Sequence, residues 1–96
     1  MMIGSNVDTD TPAPLDHVVF TDFEGGEGVL VDLHTKRYYQ LNETAALVWR
    51  ALEKGKGRAE IVGEFTALYE VTEEHARRSV ETILRRFQSY KLLRAG

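Results

Sequence analysis

Hydrophobic and polar positions alternate in the first half of the chain, which indicates β-strands. Residues 17–23 (HVVFTDF) are rich in β-branched and aromatic side chains, and residues 28–33 (GVLVDL) alternate between two faces. The alternation returns at residues 37–41 (RYYQL) after a short polar connection. Because the glycine-rich segment 24–28 separates the first two runs, the pattern predicts three antiparallel strands joined by short turns.

At Asn42 the apolar spacing changes from two to 3.6 residues, which predicts helices for the rest of the chain. Asn42 is a typical N-cap for a first helix that ends before Gly55. A second helix is predicted over about residues 58–69, and a third from the Thr72 cap to about Tyr90. The side chains expected to share one core are Trp49, Phe65, Val80, Ile83 and Phe87.

Three strands followed by three helices predict an α+β domain with a winged helix-turn-helix-like shape. Residues 1–14 are polar, contain both prolines and show no period, so we expect a disordered tail there and one domain over residues 15–96. Residues 1–35 hold seven acids and no Lys or Arg, whereas residues 36–96 hold twelve bases and eight acids. This asymmetry is as typical of a partner surface as of an acidic tail that aids solubility.

Little in the sequence suits catalysis. The chain has no cysteine, and its three histidines, at positions 17, 34 and 75, are not at metal-ligand spacing. The E-G-G-E-G segment lacks the spacing of a phosphate-binding loop, and no serine lies in a nucleophile motif. We therefore expect a non-catalytic protein without metal or cofactor. A cytoplasmic location is expected because we find no signal-peptide pattern and no membrane-spanning apolar run.

The predicted third helix raises DNA binding as an alternative function. Six of the twelve bases lie between residues 77 and 94, as in a recognition helix. However, the sequence pI of 5.6 is lower than duplex binding usually requires. Three acid–base pairs at i, i+4 spacing also favour a solvated helix face: Glu73–Arg77, Glu74–Arg78 and Glu81–Arg85.

One shoulder of this helix offers a different possibility. Leu84 lies beside the apolar stripe, with Arg77 and Glu81 as neighbours on the helical wheel. If a sheet edge lies next to this shoulder, the two would form a groove for an extended peptide. Periodicity alone is equally compatible with Leu84 as a core residue.

The segment Val29–Trp49 (VLVDLHTKRYYQLNETAALVW) resembles the PqqD family through the pattern V-D-L-x-x-x-R-Y-Y-x-L-N-x-x-A-x-x-x-W. A similar E-I-V-x-x-F segment begins at Glu60, and the resemblance covers residues 15–93. It implies a peptide-binding winged-helix module that binds the leader of a ribosomally synthesised precursor peptide and presents it to a modifying enzyme. The leader would join the sheet along the third strand and pack against the third helix.

The resemblance also implies the binding residues and the partners. On the strand side these are Lys36, Arg37, Tyr38, Tyr39 and Gln40, and on the helix side Arg77, Val80, Glu81 and Leu84. The D-L-x-x-x-R-Y-Y hairpin differs from family members that assemble pyrroloquinoline quinone and is similar to the wider PqqD-like group, which includes lasso-peptide partners. The resemblance therefore implies a pathway that makes either pyrroloquinoline quinone or another modified peptide. It also implies a peptide-modifying enzyme as a partner, for which a radical S-adenosylmethionine enzyme is one candidate.

Overall fold

The computed structural model describes residues 12–94 and contains an α+β fold. Its elements in chain order are β1 (Ala13–Pro14), β2 (Val18–Asp22), β3 (Gly28–Asp32), β4 (Arg37–Leu41), α1 (Glu43–Glu53), α2 (Arg58–Tyr69), α3 (Glu73–Ser89) and β5 (Leu93–Arg94). β2, β3 and β4 form a three-stranded antiparallel sheet, and three helices follow it. The predicted order of three strands and three helices is confirmed.

The first strand lies at the end of the predicted N-terminal tail. β1 pairs antiparallel with β5, and Pro12 is buried. Residues 12–14, at the end of the predicted tail, therefore belong to the folded domain. Residues 1–11 lie outside the described residues.

The glycines between β2 and β3 allow the chain to turn and the strands to pair closely. Gly25 and Gly26 have φ values of 84° and 86°, which side chains with a Cβ disfavour. A Cβ on Gly28 would lie 2.3 Å from the Phe20 ring. Glycine at this position is therefore required for β2 and β3 to pair with Phe20 in its place.

The sheet has one face towards the helices and one outer face. Leu30 pairs with Tyr39, and the two form one row across the sheet. In the neighbouring row, Val31 pairs with Val19 on one side and with Tyr38 on the other. Because side chains alternate along a strand, these two rows lie on opposite faces. Leu30 is fully buried, whereas Val19 and Tyr38 are exposed. The Leu30 row therefore faces the core, and the outer face keeps exposed apolar side chains.

Both residues predicted as N-caps stabilise their helices. The Asn42 side chain accepts a hydrogen bond from the Ala45 amide at 2.9 Å, and Thr72 Oγ1 accepts one from the His75 amide at 3.1 Å. Each bond satisfies an amide that the first helical turn leaves without a partner. Within residues 12–94, none of the helices combines the length and apolarity that a bilayer span requires.

The core is centred on Trp49, which is fully buried. Its ring packs edge-to-face on Phe87, with ring centroids 5.2 Å apart, and its Nε1 donates a hydrogen bond to Glu53 at 3.0 Å. Phe65 and Val80 are also buried in this core, as predicted. Ile83 was expected among them, but it is half-buried and packs against the core from one side.

We expect Trp49→Ala to lower the free energy of unfolding by about 3–5 kcal/mol, because truncating a large buried ring leaves a cavity. Leu68→Ala is the matched control, because Leu68 is an apolar side chain of α2 that is 60% exposed. That change should alter stability by less than about 0.5 kcal/mol. Urea denaturation measures both variants, and similar losses in the two would contradict this assignment of the core.

Candidate functional site

β4 is an edge strand, with β3 on one side and no strand on the other among the described residues. The backbone N–H and C=O groups on its free side can therefore pair with an added strand. Tyr39 and Leu41 face the helices, half-buried and buried respectively, while Tyr38 and Gln40 are exposed on the alternate positions. The edge thus combines open backbone groups with a ring that points towards α3.

The turn that leads into β4 is organised by Asp32. Asp32 is buried and is the one polar side chain in the core of residues 12–94. Its Oδ1 accepts hydrogen bonds from the amides of His34 at 2.9 Å and Thr35 at 3.2 Å. The Lys36 amide donates to the Asp32 carbonyl at 2.7 Å, and Lys36 adopts a left-handed φ of 64°. This side-chain-to-backbone turn sets where β4 begins.

A stacked pair of imidazole rings lies beside the Asp32 turn. His17 and His34 stack with ring centroids 3.7 Å apart, and His17 Nε2 lies 3.6 Å from Asp32 Oδ1. Among residues 12–94, no group of three or more His, Cys, Asp or Glu side chains is placed to hold a metal ion. The imidazole of His17 packs beside the carboxylate that organises the turn.

The ionisation of Asp32 reflects this environment. Burial by itself raises the pKa of Asp32, but hydrogen bonds from Thr35 and His34 and the charge of His17 outweigh it. The net effect holds the pKa below the ordinary value for aspartate. The turn is consequently built around a carboxylate anion at neutral pH.

We expect Asp32→Asn to lower the free energy of unfolding at neutral pH, because the amide cannot replace the anion. Since the pKa is lower in the folded state, the carboxylate contributes its full stability above the unfolded-state value of about 3.9 and loses it as the pH falls through the folded-state value. The difference in free energy of unfolding between Asp32→Asn and wild type should become smaller as the pH falls below about 4. Urea denaturation over a pH series measures it.

Asp16→Asn is the control for this pH series, because the Asp16 side chain is almost fully exposed. The free energy of unfolding of the Asp16→Asn variant should follow that of wild type at every pH. A deficit in Asp32→Asn that does not change with pH would contradict a stabilising role for the charge.

A groove with an aromatic floor lies between β4 and α3. Tyr39 of β4 stacks on Tyr90, which follows α3, with ring centroids 4.7 Å apart. Phe65, Ile83 and Phe87 also line the groove. The open edge of β4 and these apolar side chains therefore face the same space.

The polar lining of the groove comes mainly from α3 and carries positive charge. Arg78 and Arg86 line it, with His75 near the start of the helix. The acidic residue in the lining is Glu27, which precedes the β3 residue that pairs with Leu41. The groove therefore offers cations along α3 and one carboxylate near the end of β4.

Tyr69 contributes a neutral phenol to the groove wall. Its hydroxyl is buried and has no hydrogen-bond partner among the described residues, and its ring packs against Phe65 with centroids 4.8 Å apart. Burial and then the charge of Glu43 raise the pKa of Tyr69, and Arg50 partly opposes them. The group therefore stays protonated as a hydrogen-bond donor.

The structure brings together only the strand half of the predicted site. Lys36 and β4 lie at the free edge, as expected. Val80 and Leu84, however, are 0% and 1% exposed and belong to the core. Arg77 and Glu81 line a separate depression between α2 and α3. In the structure these four helix residues therefore do not line the groove beside β4, and their part in peptide binding stays a prediction.

Packing of α2 against α3 explains this difference. Glu81 forms an ion pair with Arg58 of α2 at 3.0 Å, where the sequence had suggested Arg85 as its partner. The predicted Glu73–Arg77 pair forms, at 3.0 Å. The shoulder that carries Leu84 is thus covered by α2, and the opposite shoulder of α3 faces β4.

Sequence reasoning missed the residues of that opposite shoulder as site residues. One signal was available, because Ile83 and Tyr90 lie on the edge of the apolar stripe away from Leu84. The groove-lining residues of α3 and its end are His75, Arg78, Ser79, Thr82, Ile83, Arg86, Phe87 and Tyr90.

Comparison with known proteins finds one matching family model and similar solved structures. The model described as coenzyme PQQ synthesis protein D (PqqD) matches residues 27–93. A structure of TbiB1 in complex with the TbiA(beta) leader peptide is 31% identical, with a TM-score of 0.81, and the match covers 88% of this chain and 96% of that chain. No curated protein sequence matches closely enough to count as a relative.

A second structure, of lasso peptide synthetase B1 complexed with the leader peptide, is 24% identical with a TM-score of 0.74. The match covers 85% of this chain and 94% of that chain. At this identity the likeness concerns the fold. It shows the same arrangement of sheet and helices in a second protein.

Proposed function

Because the chain belongs to the PqqD family, we propose that it binds the leader segment of a ribosomally synthesised precursor peptide and presents it to a modifying enzyme. The family match over residues 27–93 confirms the resemblance seen in the sequence. TbiB1, which is 31% identical, has been solved with the TbiA(beta) leader peptide. That complex supports a leader peptide as the ligand of this chain.

The observation that carries the proposal is the free edge of β4 beside the aromatic groove. An added strand would satisfy the outward N–H and C=O groups of β4. Every second side chain of that strand would point towards α3, because side chains alternate along a strand. Backbone pairing then supplies much of the affinity, and the groove selects side chains and register.

We propose that the protein acts by binding alone, without catalysing the modification. The groove lining is mainly aromatic, aliphatic and cationic, which suits recognition of an extended peptide. The enzyme that modifies the rest of the precursor is then the second partner. A cytoplasmic site of action follows from this proposal, since ribosomes make the precursor there.

The test is a titration of isotope-labelled protein with the leader segment of a short precursor peptide that a neighbouring gene encodes, where one is found. We expect amide exchange to slow within Arg37–Leu41, because the added strand protects their outward N–H groups, and chemical shifts to change at Ile83 and Tyr90. Ile83→Ala should weaken binding about tenfold through lost apolar contact. The matched control is Leu68→Ala, which truncates an exposed apolar side chain outside the groove and should bind like wild type.

Two outcomes would contradict the proposal. Shifts confined to the depression between α2 and α3 would place the peptide on the other side of α3. Binding to duplex DNA, with an affinity that falls steeply with salt and with no response to the leader, would favour the winged-helix DNA-binding alternative.

A further inference from the structure

The cations along the groove are not neutralised by their neighbours on α3. Glu74 precedes Arg78 by four residues, which is the spacing at which Glu73 pairs with Arg77 at 3.0 Å. Nevertheless, neither Arg78 nor Arg86 has an ion-pair partner among residues 12–94. Both line the groove, so their charge is available to a bound peptide.

The spacing of these two cations matches a strand. Arg78 and Arg86 are eight residues apart on one helix, a rise of about 12 Å. Two residues four positions apart on a strand lie on the same face at about 13 Å. An extended peptide on β4 can therefore direct two side chains towards the two arginines. The side chain midway between them points to the same face and reaches the groove where Ile83 lies.

We propose that the leader segment bound by this groove carries two acidic side chains four residues apart, with an apolar or aromatic side chain midway. The carboxylates pair with Arg78 and Arg86, and the middle side chain packs on Ile83 beside the Tyr39–Tyr90 stack. Glu27 lies at the end of the groove near Leu41, where its negative charge repels a further acidic side chain of the peptide. This inference rests on the proposed function, which it refines by naming the side chains that the groove selects.

Three synthetic threonine-rich peptides of equal length test the pattern. The first contains Glu-Thr-Phe-Thr-Glu, the second Gln-Thr-Phe-Thr-Gln, and the third Glu-Thr-Phe-Glu-Thr, which moves one carboxylate to the opposite face of the strand. Fluorescence anisotropy measures their affinities for the full chain. We expect the first to bind about tenfold more tightly than the second and severalfold more tightly than the third. Added salt should reduce the preference.

Arg78→Gln and Arg86→Gln should each reduce the preference for the first peptide over the second about threefold to tenfold. Arg85→Gln is the matched control, because Arg85 is exposed on the same helix but does not line the groove. It should leave the preference unchanged. Since Arg78 and Arg86 are also exposed, circular dichroism should show that all three variants keep the fold.

The outcomes separate this inference from the proposed function. Equal affinity for the Glu and Gln peptides, or a preference that neither groove variant reduces, would overturn the acidic pattern while peptide binding on β4 stands. The pattern also fails if the encoded leader binds but none of the three peptides does. If neither the leader nor any synthetic peptide binds, the proposed function fails and the inference with it.

Discussion

The carboxylate of Asp32 is buried beside His17, and the hydrogen bonds that it accepts from the amides of His34 and Thr35 form the turn between β3 and β4. A buried charge is tolerated only where hydrogen bonds and nearby charge replace its hydration. That requirement fixes the conformation of the turn. The turn then sets the register of β4 against β3. The stacking of Tyr39 on Tyr90 and the position of the free edge both depend on this register.

The two shoulders of α3 have different roles in the fold. α2 covers the shoulder that carries Leu84, and the Arg58–Glu81 ion pair lies across that contact. The other shoulder faces β4 with Ile83 at the floor and with Arg78 and Arg86, which have no ion-pair partner among residues 12–94, above it. One helix therefore stabilises the core with one side and lines the candidate site with the other, which is how a domain of 96 residues can combine both.

This arrangement also bears on the choice between a peptide and DNA. The arginines that suggested a recognition helix include Arg78 and Arg86, and both line a groove whose floor is aromatic. Such a groove suits an extended chain with apolar side chains, whereas a duplex requires a convex helix and contacts to many phosphates. Backbone pairing on β4 accepts many sequences, so in the proposed function the aromatic floor and the cations would select the leader.

The sequence by itself determined the order of the elements, the caps at Asn42 and Thr72, the central place of Trp49, and the family. These features depend on local patterns, since alternation, helical period and capping involve residues that are near neighbours in the chain. The resemblance over Val29–Trp49 likewise lies in one continuous segment.

Only the tertiary structure decided which apolar surfaces become core. In β3 the face with Leu30 and Asp32 is buried, although the alternate positions hold Val29 and Val31. On α3, contact with α2 selected Leu84 for the core and left Ile83 to the groove. β1 was missed because a two-residue strand has no period of its own and pairs with residues at the other end of the chain. Local periodicity shows that a surface is apolar, but which partner covers it depends on the packing of segments distant in sequence.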